Sequence, residues 1–71
     1  MKRIITVKEF VDSYLSPLQR VRIEDLESDY VYFEDDAKII QRTDNIVYSA
    51  RLLKIDVHHN LEAPDCLVLY I

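Results

Sequence analysis

Seventy-one residues contain no glycine, and that restricts the turns this chain can make. Tight hairpin turns need backbone at positive φ, where a Cβ is penalised. Asn and Asp tolerate that region best among the other residues. Loops here therefore either place Asn or Asp at such points or run longer. The same absence excludes glycine-rich phosphate loops and dinucleotide-binding fingerprints.

A chain this short forms one domain, 1–71, and buries only about 60% of its unfolded surface. Such domains often need a disulfide, a metal or an oligomer partner as extra support. With Cys66 as the single cysteine no intrachain disulfide can form. The hydrophobic share of 49% is too high for a disordered chain. Self-association is then the expected source of added stability. Met1-Lys2-Arg3-Ile4-Ile5 lacks the apolar stretch of a secretion signal, because Thr6, Lys8 and Glu9 follow at once. No apolar run is long enough for a membrane span, and a lone free thiol fits a reduced cytoplasmic setting.

Thr6 and Glu9 form a T-x-x-E capping box, with Ile5 and Phe10 placed as a hydrophobic staple. Val7, Phe10, Val11, Tyr14 and Leu15 recur on one helical face, and Lys8 and Asp12 pair on the solvent side. The spacing predicts a helix over 7–15, ended by Ser16-Pro17. Residues 19–24 then alternate, with Val21 and Ile23 opposite in sense to Arg20, Arg22 and Glu24. Residues 30–34 alternate as well. A hairpin with a five-residue loop, 25–29, would pair Ile23 with Val31, Val21 with Phe33, Arg22 with Tyr32 and Arg20 with Glu34.

Residues 35–50 are less periodic. Asp35 or Asp36 can cap a short helix over 37–42, the reading preferred, with an irregular connection after it; a strand over 38–42 is the alternative. From Arg51 to His59, Leu53, Ile55 and Val57 alternate with Leu52, Lys54, Asp56 and His58. After a loop over 60–65 that contains Pro64, the run 66–71 is apolar on both faces, as in a central strand. The expected fold class is α+β: one N-terminal helix packed on an antiparallel sheet of about four strands.

The segment from Glu24 to Asp36 carries seven carboxylates and no basic residue, interleaved with Tyr30, Tyr32 and Phe33. Residues 1–23 hold five Lys/Arg against two acids, and 37–71 hold four of each, so the net charge of −4 arises in this segment. Such a block can resist edge pairing, can imitate nucleic acid in a basic groove, or can leave Arg20 and Arg22 as the working groups. Direct binding to DNA or RNA is disfavoured by the charge. The partner-binding candidates are Glu27, Asp29, Tyr30, Tyr32, Glu34, Asp35 and Asp36. A second set, Arg20, Arg22, Tyr30 and Tyr32, can in an oligomer pair with a phosphate and stack a base. One helix covers one sheet face; the other would show these side chains with one side of Cys66, Val68 and Tyr70, unless 37–50 folds over it.

Catalytic and metal constellations are thin. His58 and His59 are adjacent, so a strand sends them to opposite faces and only one can join a site. His59 opposite Cys66, with Asp56 nearby, would supply too few ligands for tetrahedral zinc. A strand cysteine is usually an inert small hydrophobe. Ser13, Ser16, Ser28 and Ser49 lie in no nucleophile motif. The reading is no enzyme, no cofactor and no metal.

Three pieces, Thr6-Val7-Lys8-Glu9-Phe10, Val21-Arg22-Ile23-Glu24-Asp25 and Leu67-Val68-Leu69-Tyr70-Ile71, resemble a class of small α+β proteins from phages and prophages of Gram-positive bacteria. Members of that class often carry a glycine after the second strand, which this chain lacks. The resemblance implies an intracellular accessory protein and assigns no catalytic residue. The expected function is binding: occupying a host protein, such as a defence or nucleic-acid-handling factor, through the acidic segment. The alternatives are a homo-oligomeric sponge for a nucleotide-type signal and a structural interaction module.

Overall fold

A computed structural model describes residues 5–59 and 65–71. The expected loop around Pro64 and the first four residues lie outside that range. Among the described residues the fold is α+β. Helix α1 (Val7–Tyr14) is followed by β1 (Arg20–Glu24), β2 (Val31–Asp36), α2 (Ala37–Arg42), a 3₁₀ turn (Ile46–Ser49), β3 (Lys54–His58) and β4 (Cys66–Tyr70). One sheet has the order β2-β1-β4-β3.

The capping box forms as the sequence predicts: Thr6 Oγ1 accepts the Glu9 N–H at 3.2 Å and the Thr6 N–H donates to Glu9 Oε1. Val7 and Val11 are fully buried, Phe10 and Leu15 pack at the core margin, and Tyr14 turns to solvent. Helix α2 spans 37–42 as expected, but Asp36 makes no side-chain cap. The Ala37 and Lys38 N–H groups donate instead to the Gln19 and Pro17 carbonyls at 2.8 and 3.0 Å. Backbone thus satisfies the donors that a capping carboxylate would take.

Neither helix ends on a left-handed cap; Leu15 and Thr43 are extended. The two helices close each other's ends. Lys8 Nζ of α1 donates to the Ile40 and Gln41 carbonyls at 3.2 and 3.3 Å. Gln41 Nε2 of α2 donates to the Val11 and Leu15 carbonyls at 3.3 and 3.2 Å. Long side chains thus serve carbonyls that a glycine cap would otherwise close.

Two features of the sheet differ from expectation. The strands are not all antiparallel: β1 and β4, the central pair, are parallel. Strand β3 therefore runs in the same direction as β2, and residues 37–53 cross the sheet between them. A same-sense connection needs a dozen or more residues, which this stretch supplies.

The hairpin register is also shifted by two. Ile23 opposes Phe33, Val21 opposes Asp35, Arg22 opposes Glu34 and Arg20 opposes Asp36. Glu24 opposes Val31, so Tyr32 is passed over as a bulge. A shift of two preserves inward and outward alternation, so sequence pattern cannot distinguish the registers. Long-range contacts do: Phe33 meets Tyr48 edge-to-face at 5.8 Å, and Arg22 faces a carboxylate. The resulting loop holds Asp29 at φ 60°, the left-handed position that this glycine-free chain gives to an aspartate. Asp25 Oδ2 accepts from the Ser28 N–H and hydroxyl at 2.9 and 2.7 Å and closes the turn.

The core joins Val7, Val11, Val21, Ile23, Ala37, Ile40, Tyr48 and Leu69. Segment 37–50 thus packs on the same sheet face as α1. The face bearing Arg22 and Val68 is not the one it covers.

Candidate functional site

Register builds the opposite face in rows, with Val68 buried at its centre. Glu34, Arg22, Val68 and Asp56 align across all four strands, and Asp36, Arg20, Cys66 and His58 form the next row. Tyr70 lies between Glu24 and Lys54, with Lys54 Nζ 5.4 Å from its ring centroid.

Arg22 is the hub. Its Nε lies 2.8 Å from Glu24 Oε2, shielded from solvent and off hydrogen-bond alignment, and its Nη1 lies 3.8 Å from Glu34 Oε1. Its Nη2 reaches His58 Nδ1 at 3.2 Å. Arginine only donates, so Nδ1 accepts and the ring proton sits on Nε2. A cleft of about 260 Å³ opens beside it, lined by Arg22, Asp56, His58, His59, Val68 and Tyr70, among others. Its walls are mostly polar, and its cation is already held by two carboxylates.

His58, rather than His59, opposes Cys66, while His59 Nδ1 pairs with Asp65 Oδ2 at 3.1 Å. His58 directs its acceptor nitrogen at Arg22, and Cys66 Sγ lies 3.9 Å from the Leu67 carbonyl. Burial pushes the Cys66 thiol up, against the pull of Arg22. Among the described residues no three His, Cys, Asp or Glu side chains converge as metal ligands. No helix there is long and apolar enough to cross a membrane.

Burial raises both Cys66 and Tyr48, each neutral when protonated. Their folded values exceed the unfolded ones, so the stability tied to the neutral forms is complete below the unfolded values, near 9 and 10, and is lost as pH rises through the folded ones. Urea midpoints are expected to stay level around neutrality and to fall on the alkaline side. Cys66→Ala should flatten the earlier part of that fall. An unchanged alkaline limb in this variant would remove the thiol as its cause.

The acidic candidates separate into two groups. Glu34 and Asp35 are exposed but paired, Asp35 with Arg20 Nη1 at 3.7 Å, and Asp36 precedes α2. Glu27 and Asp29 stand on the loop with no ion pair among the described residues. Beside them Tyr30, 62% exposed, stacks edge-on to Tyr32 at 4.8 Å. The structure brings Tyr30 and Tyr32 together. The groups that hold Arg22 are Glu24, Glu34 and His58. The Arg22–His58 contact was not legible in sequence, since the two lie 36 residues apart.

Comparisons with protein-family models, with curated proteins and with solved structures found no match. The resemblance drawn above therefore stands on its three short segments alone.

Proposed function

We propose that this chain is a non-enzymatic binding module that works through the β1–β2 hairpin. The single observation that carries this reading is the solvent-facing Tyr30–Tyr32 pair beside the loop carboxylates Glu27 and Asp29. Tyrosines give rigid amphipathic anchors, and unpaired carboxylates next to them select a basic surface. Strand β2 is also a sheet edge, with Glu34 and Asp35 further along it. Carboxylates so placed can occupy a groove built for phosphates. The partner chemistry is therefore a basic, nucleic-acid-handling protein surface. The three segments that carry the resemblance favour an accessory protein of a phage or mobile element acting on such a host factor in the cytoplasm. The nucleotide-sponge alternative has less support, because Glu24 and Glu34 already hold Arg22.

Changing Glu27 and Asp35 to Lys, with Asp29→Asn to respect the left-handed turn, should leave the melting temperature nearly unchanged. Capture of basic proteins from a bacterial lysate should weaken about tenfold or more. Wild-type capture should fall as salt rises and should be competed by duplex DNA. Retention that is indifferent to charge reversal, salt and DNA would end the mimic reading.

A further inference from the structure

Strand β2 forms one edge of the sheet, and its outer side is unpaired among the described residues. Ile5 lies beside Leu52, and His59 and Asp65 flank the turn from β3 to β4; β1 separates all of these from the β2 edge. Two bonds fix which backbone groups point outward. The Glu24 carbonyl accepts the Ile71 N–H on the β4 side, and the Gln19 carbonyl accepts the Ala37 N–H on the β2 side. Even-numbered residues of β1 thus bond to β4 and odd-numbered ones to β2, which makes Val21–Asp35 and Ile23–Phe33 the hydrogen-bonded pairs. Glu34, between them, turns its N–H and carbonyl outward. The Asp36 N–H is closed by Asp35 Oδ1 at 2.7 Å, so the available edge runs from Glu34 back toward Tyr30. Val31 and Tyr32 on that stretch are each 43% exposed.

We propose that this edge takes an extended, arginine-rich segment of the partner as an added strand. The proposal rests on the binding reading above and specifies how the partner meets the hairpin. Backbone pairing at Glu34 supplies hydrogen bonds, as in other strand additions. Charge selects the occupant. The Glu34 and Asp35 side chains are half exposed, and their own arginines lie 3.8 and 3.7 Å away, longer than hydrogen bonds. A second β2 strand would set carboxylate against carboxylate, so the edge that resists its own copy accepts a basic strand. The tyrosines decide between the two cations. Tyr30 and Tyr32 meet edge-to-face, which leaves ring surface open to solvent. A guanidinium stacks flat on such a ring while its N–H groups reach a carboxylate, whereas an ammonium is a compact point charge.

The probe is a labelled peptide of about ten residues that alternates Arg with Thr, followed by fluorescence anisotropy. Wild type should bind it roughly threefold or more tightly than the Lys–Thr peptide of equal length and charge. Tyr30→Leu with Tyr32→Leu should remove that preference, with circular dichroism verifying the fold. Backbone N-methylation supplies the second readout. A strand turns successive N–H groups to opposite edges, so methylating every Arg or every Thr blocks different edges. One of these two peptides should lose about tenfold or more, and the other should bind like its parent. Three outcomes overturn the proposal: no binding of the Arg–Thr peptide, equal binding of the Arg and Lys peptides, or equal effects of the two methylations. Lysate capture that still answers to charge reversal, salt and DNA would then leave the binding reading standing without the added strand.

Discussion

Ile23→Ala is expected to remove a large part of the stability of this domain. Ile23 has no solvent exposure and lies between Phe33 of β2 and Leu69 of β4, in the same buried cluster as Val7, Val11 and Ile40. Truncating a buried isoleucine costs about 2–5 kcal/mol, because lost burial adds to the cavity left behind. Domains hold about 0.05–0.15 kcal/mol per residue, so a chain of 71 residues has roughly 4–11 kcal/mol to lose. At this size each kcal/mol moves the melting temperature by about 4–8 °C, which makes a fall of about 20 °C the expected result. Tyr14→Ala is the control. Tyr14 is 72% exposed although it lies on the apolar stripe, and its loss should shift the midpoint by only a few degrees. If Ile23→Ala and Tyr14→Ala melt together, the strand order that makes β1 central is wrong.

The double variant Lys8→Met with Gln41→Leu should be the next most damaging. Each change keeps most of the side chain's volume and removes its donors. The Ile40, Gln41 and Leu15 carbonyls would then lose the partners described above. A net hydrogen bond is worth about 1 kcal/mol, somewhat more from an ammonium, and these part-buried carbonyls regain some water. A combined loss of about 2 kcal/mol, or about 10 °C, is expected. Hydrogen exchange supplies a second readout: amides of both helices should exchange faster in either single variant, because each helix end depends on a side chain from the other. A response confined to the mutated helix would mean that the caps are not reciprocal.

Much of the local structure was legible in the chain. Thr6 and Glu9 announced α1, the alternation around Val21 and Ile23 announced β1, and the apolar run 66–71 announced a central strand, observed as Cys66–Tyr70. The need for a left-handed turn without glycine was answered at Asp29. These features are encoded within a few residues, since capping, side-chain periodicity and backbone sterics act at that range. Tertiary structure decided the rest. Parity places Val21 and Ile23 inward in any register differing by two, and only packing of Phe33 on Tyr48 and pairing of Arg22 with Glu34 selects one. Alternation likewise carries no strand direction. The parallel β1–β4 pair follows from a crossing segment whose Ala37, Ile40 and Tyr48 bury against the same face as α1. The Arg22–His58 contact and the Lys8–Ile40 and Gln41–Val11 bonds join residues 30 or more positions apart, where energy comes from contacts that exist only once the chain has closed on itself.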